Sequence, residues 1–325
     1  MMMKPEEVAA RLRAGECLYL AGDEKLLAQL PQGNWIGGTI PYFMDEAGGC
    51  FSRELIFVQQ QMPQVSGVSI RSYGVDQLSQ IVADSPEHGF TVLIIPGMSQ
   101  AHLRYGQHAP EFPGLFMKQI IGWIAGIDLA DLGKAAPKVF NGATGEVLGE
   151  GAVALHATLP EDKFACIGIL NLFKQGDGDA LRFEDEGFTV GACTVNGAPD
   201  NFAQYLTRNK IDTRLPLVAN YHGEMINVSV KSIDAASGKV ELYAPVFRSV
   251  EYRFAQPVAD YEQAFARQIP EGLVNPEFSC NCILNYLYSQ LEGKKTGTLT
   301  GPVTFGEIAY QLLNQTLVYL KIYDA

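Results

Sequence analysis

The chain has 325 residues, 47% hydrophobic and 18% charged, which excludes a disordered protein and allows two ordinary domains or one large two-lobed one. Its net charge of −12 sets it against phosphate backbones and anionic lipid surfaces, so neither nucleic acid nor membrane is expected as a partner. The stretch from Met1 to Glu7 has no apolar signal core and the longest apolar runs are too short to span a bilayer; with six scattered cysteines and no export signal, free thiols in a cytoplasmic protein are expected.

In chain order, Pro5 to Ala14 reads as a short helix, with proline at its start, early glutamates and Gly15 as a stop. Cys17 to Ala21 is a strand, and Asp23 caps a second helix. Trp35 to Phe43 is strand-like, and its Gly37-Gly38 pair implies a bulge or a close backbone approach. Strands over Leu55 to Gln59 and Val68 to Tyr73 and a helix over Val75 to Ala83 follow. Phe90 to Ile95 is continuously apolar and ends at Pro96-Gly97, as a strand buried on both faces would. Ser99 caps a helix from Gln100 to Gln107, and the apolar Phe112 to Ile127 reads as another helix.

The turn-rich Asp131 to Pro137 marks a boundary, giving lobes 1–133 and 134–325. Beyond it, strands are expected over Val139 to Asn141, Ala152 to Thr158, Ala165 to Phe173, Phe188 to Val195, Met225 to Ile233, Lys239 to Tyr243, Ser249 to Phe254 and Thr316 to Ile322. Helices are expected over Pro199 to Thr207, Asp260 to Gln268 and Ile283 to Leu291. The fold class is therefore mixed α/β (α+β): two lobes with mixed, largely antiparallel sheets flanked by helices.

The common nucleotide, hydrolase and zinc-protease motifs are absent. The alternating aspartates at 177 and 179 hint at calcium, but no glutamate closes a twelve-residue loop, and Cys280-Asn281-Cys282 lacks a second ligand pair, so no metal site is expected. Four histidines read as exposed or core residues; His222, two residues from Glu224, could share a strand face with it. Phe278 to Cys282 leads a strand end into a helix, where Cys280 could be reactive or an inert wall. Glu307 lies between apolar neighbours, so it is expected to be buried and to need a partner or a ligand. Asn314 and Thr316 precede the last strand, within reach of the same face.

The steps Phe278-Ser279-Cys280, Phe305-Gly306-Glu307-Ile308 and Leu313-Asn314-Gln315-Thr316, in that order and spacing, resemble the C-terminal region of FIST sensory domains. Ile36-Gly37-Gly38-Thr39 and the stretch Val139 to Leu155 are similar to that family's N-terminal and middle sections. The arginine that family members often carry shortly after the cysteine is missing here.

The resemblance implies a standalone sensory or signal-transduction protein that binds a small molecule, amino-acid-like or haem, and acts through a signalling partner without catalysis. Oligomers are compatible with it. Its ligand site would take Glu307, Cys280, Asn281, Asn314, Thr39 and His222. Two other readings stand beside it: an enzyme with Cys280 as nucleophile and His222 as base, and an assembly protein without a ligand.

Overall fold

A computed structural model describes residues 1–60, 64–221, 224–248 and 250–325. Among the described residues the strands form four six-stranded sheets and one three-stranded sheet, and seven α-helices are set around them. Most strand pairs are antiparallel; parallel pairing joins Leu18–Gly22 to Trp35–Thr39, Gly89–Pro96 to Ile120–Ala125, and Phe278–Cys282 to Gly301–Thr304. The protein is mixed α/β, as its alternating apolar segments and turn residues imply.

The expected boundary near residue 133 does not divide the sheets. Val139–Asn141 pairs with Trp35–Thr39, Ala152–Thr158 pairs with Gly89–Pro96, Glu307–Ala309 pairs with Ile120–Ala125, and Gly301–Thr304 pairs with Tyr42–Met44. The predicted lobes thus share sheets, and the turns at 131–137 are a loop within one interleaved structure. Local turn composition marks where the chain leaves a sheet; it carries no information on which sheet the chain re-enters.

The central strand Gly89–Pro96 lies between Ile120–Ala125 and Ala152–Thr158 and is buried over nearly all its length, as its unbroken apolar run requires. Its neighbour Ile120–Ala125 corrects the helix expected over Phe112 to Ile127. That segment is a short 3-10 turn, Leu115–Met117, followed by a strand. Isoleucines at 120, 121 and 124 favour extended backbone. Gly122 is required there, because a Cβ on it would lie 1.7 Å from the Leu93 carbonyl oxygen of the adjacent strand.

The helix expected over Pro199 to Thr207 is also shorter. Asn196 and Gly197, both at positive φ, turn a hairpin between Ala192–Val195 and Ala198–Asn201. Asn201 then caps Phe202–Arg208 by accepting from the Gln204 amide. The Gly37-Gly38 pair marks a close approach: a Cβ on Gly38 would meet Ile94 at 2.8 Å and the Trp123 indole nitrogen at 2.9 Å. Five hydrophobic clusters fill the interior, and Phe305 packs against the three largest of them.

Candidate functional site

Glu307 opens the strand Glu307–Ala309 and is fully buried. Its Oε2 accepts from the Thr316 amide at 3.2 Å and the Thr316 hydroxyl at 2.8 Å. Burial pushes the carboxyl up to about 8, against the pull of the Thr316 bonds and the Cys282 thiol. Glu307 enters no ion pair among the described residues.

Asn281 and Asn285 lie one helical turn apart across the start of Ile283–Tyr288. Asn285 donates to Asn281 Oδ1 at 2.9 Å and to the Thr316 carbonyl at 3.3 Å, which ties both asparagines to the Glu307 neighbourhood. Among the described residues, Glu307 Oε1, Asn281 Nδ2, Asn285 Oδ1 and the Tyr261 hydroxyl are buried without hydrogen-bond partners. Cys280 donates its thiol to the Gly122 carbonyl at 3.4 Å. Burial, reinforced by Glu307, holds the Cys280 and Cys282 thiols well above the ordinary thiol range. Neither is a ready thiolate nucleophile.

The structure thus brings together Glu307, Cys280 and Asn281, while the side chains of Thr39 and Asn314 are engaged with other partners. Thr39 donates to the Gly126 carbonyl at 2.7 Å and accepts from the Lys138 amide at 2.9 Å, so its hydroxyl is engaged in joining strand ends. Asn314 accepts from the Ser229 amide and hydroxyl and donates to the Asn227 carbonyl at 3.0 Å. It cross-links two sheets with both ends of its amide in use. His222 lies outside the described residues. Asp179 accepts from Asn196 and Tyr205. Among the described residues no group of three or more His, Cys, Asp or Glu is placed to hold a metal.

A cleft of about 340 Å³ opens beside this buried cluster. Gly97, Met98 and His102, at the end of the central strand and the first turn of Gln100–His108, form one wall. Lys231, Glu241 and Tyr243 from two antiparallel strands form another, and Ile283, Leu284, Leu287 and Phe305 supply an apolar end. Phe305 is the partition between the cleft and Glu307, two residues on. A Cβ on Gly126 would lie 2.4 Å from the Phe305 ring, so glycine at 126 leaves the space the ring occupies.

Sequence and geometry fix His102 closely. Ser99 caps the helix by accepting from the His102 amide at 3.1 Å, which sets the ring one turn in from the strand end. Met98 sits at φ +63, unusual for a non-glycine residue, and its amide donates to His102 Nδ1 at 3.1 Å. A neutral ring accepting at Nδ1 carries its proton on Nε2. That nitrogen is buried without a partner among the described residues. Burial, with Lys231 adding to it, lowers the ring to about 4, so it is neutral near pH 7. The ring meets Phe188 edge-on at 5.7 Å.

Lys231 lies 3.2 Å from Glu241, and Glu241 also accepts from the Ser232 hydroxyl at 3.1 Å. Lys231 holds the Glu241 carboxyl below its usual range, with Ser232 assisting.

A groove of about 790 Å³ lies elsewhere, lined by residues such as Ile167, Ile169, Ile226 and Leu313. None of the buried unpartnered polar atoms belongs to its lining. The cleft at His102 therefore has the stronger combination of apolar volume and available polar groups.

Sequence reasoning treated His102 as one of several ordinary histidines. The available signal was its position, three residues after a cap that follows a buried strand ending in Pro96-Gly97. In α/β sheets that is where ligands gather. Lys231, Glu241 and Tyr243 come from distant strands and leave no local signature.

No helix among the described residues is long and apolar enough to cross a membrane. None of the curated proteins compared with the chain matches it. The resemblance to FIST domains is overturned: the family model that matches is a different one and spans almost the whole chain. The quoted steps were short, and their glycine, asparagine and threonine are the residues any set of strand ends and turns employs. With that resemblance go the amino-acid-like and haem ligands it implied. Residues 3–323 match a family of unknown function, DUF6976, and the chain belongs to it.

Proposed function

We propose that this protein binds a small, mainly apolar molecule in the cleft beside His102, without catalysing a reaction on it. The observation that carries this reading is the His102 ring. It is 8% exposed, pinned at one nitrogen by the strained Met98 backbone, and left with an unpartnered N–H at an apolar cleft. Leaving a buried donor unsatisfied costs about 1–3 kcal/mol, which a ligand acceptor would recover. The raised thiols of Cys280 and Cys282 favour binding over cysteine chemistry. Binding of this kind suits a sensory role in which occupancy is read by a protein partner, and six free cysteines are in keeping with a reducing, cytoplasmic setting.

The test is a thermal-shift screen of small aromatic and aliphatic acids, amides and amines, repeated on Leu287→Trp. Leu287 is 40% exposed and lines the cleft, so an indole there fills the site with little strain on the fold. A compound that raises the melting temperature of the native chain and leaves the variant unmoved supports the reading. Shifts that persist in Leu287→Trp, or a screen with none, overturn it.

A further inference from the structure

Resting on the binding reading above, we infer that the cleft selects a small carboxylic acid with an apolar tail, its carboxylate received by Lys231 and the His102 N–H. The cleft wall carries two donors, His102 and Lys231, and one carboxylate, Glu241, that is already engaged. His102 has Nδ1 occupied and carries its proton on Nε2, which is buried beside the cleft without a partner among the described residues. Lys231 has three N–H groups and is paired with one carboxylate, that of Glu241. Glu241 already receives Lys231 and the Ser232 hydroxyl. Tyr243 adds a phenol to the same wall.

A carboxylate fits this arrangement better than the alternatives. It accepts from both donors at once, and its bonds to the ammonium are charge-assisted. An amine would face the Lys231 ammonium, and the carboxylate it could meet, Glu241, already receives Lys231 and Ser232. A neutral amide could accept from His102 but would forgo the charge pairing. His102 and Lys231 line the same cleft, so a carboxylate bound there has both donors on its walls. Leu284, Leu287 and Phe305 in the same lining define the tail as aryl or alkyl rather than polar.

The matched pair 1-naphthaleneacetate and 1-naphthaleneacetamide tests this by titration calorimetry, since the two differ in charge and hardly in shape. The acid is expected to bind about tenfold or more tighter than the amide, and Lys231→Met is expected to bring the acid down to the level of the amide. Lys231 is 41% exposed at its side chain, so this variant keeps the fold, which its melting temperature checks. If the amide binds as tightly as the acid, or the preference survives Lys231→Met, the carboxylate assignment is wrong while the cleft remains a binding site. If neither compound binds the native chain even at millimolar concentration, both the assignment and the binding reading fall.

Discussion

Two of the regions that leave buried polar atoms unpartnered among the described residues differ in what lies beside them. At His102 the unpartnered N–H belongs to a residue on the wall of an open cleft. At Glu307 the unpartnered oxygen lies in a closed cluster with Asn281, Asn285 and Tyr261, behind Phe305. On the proposed binding reading, the first is satisfied by a molecule that enters the cleft. The second has no counter-cation among the described residues and meets its desolvation by holding a proton, which is why the carboxyl rises to about 8. An unsatisfied polar atom is a binding signal only where volume adjoins it; in a closed core it is a signal of protonation.

The largest effect expected from this contrast is at Glu307. Glu307→Ala leaves a cavity and strips Thr316 of its acceptor, lowering stability by about 3 kcal/mol or more in urea unfolding. A loss under 1 kcal/mol would mean that the cluster is loosely packed or wet, and the contrast with the cleft would fail. Next come the two buried histidines. His156 has Tyr73 at 2.7 Å on one nitrogen and Thr91 at 2.8 Å on the other, whereas His102 is bonded on one side alone among the described residues. His156→Leu takes one partner from each of two hydroxyls, leaving Tyr73 with Asp84 and Thr91 with Ser85, and is expected to cost about 2 kcal/mol; His102→Leu frees one partly buried amide and should cost about 1 kcal/mol. Equal losses would argue that His102 is as structural as His156.

The pH profile separates the regions further. Glu307 has a folded value near 8 against a usual 4.5, so between those values the native chain holds a proton the unfolded chain has released. Its contribution is complete below pH 4.5 and is lost as pH rises through 8, at about 1.4 kcal/mol per pH unit. His102 and His156, lowered to about 4 from 6.5 by burial, act in the opposite sense: the unfolded chain protonates first, and stability is lost as pH falls from 6.5 to 4. These three groups together place maximum stability near pH 6.5. Glu307→Gln should remove the decline between pH 6.5 and 8 and steepen the rise between 4.5 and 6.5, where Glu307 opposes the histidines. A decline between pH 6.5 and 8 that survives in Glu307→Gln would mean that Glu307 is ionised in the native protein at neutral pH.

The difference between the regions also explains how much the sequence disclosed. The central strand was legible because Phe90 to Ile95 is a nearly unbroken apolar run, and the caps at Asp23 and Ser99 were legible because capping is local. Glu307 could be read as buried because its own neighbours are apolar. The strand Ile120–Ala125 was missed because a short apolar run has no period that separates helix from strand. The shared sheets and the cleft were not legible at all. His102, Lys231 and Phe305 lie far apart in the chain, and what joins them is strand pairing whose partners are set by the whole fold.

The smallest expected effect is the most specific. Glu241→Gln removes the carboxylate that shares Lys231 and keeps the shape of the wall. Because the Lys231–Glu241 pair is about half exposed, stability should change by less than about 0.5 kcal/mol. In the cleft the same change frees the ammonium and removes a like charge from the neighbourhood of an incoming carboxylate. Binding of 1-naphthaleneacetate should tighten by roughly threefold, and binding of the neutral amide should not move. If the amide tightens with the acid, the gain comes from altered shape rather than charge. If the acid weakens, Glu241 is positioning Lys231 rather than competing for it, and the cleft's selectivity depends on the pair instead of the lysine alone.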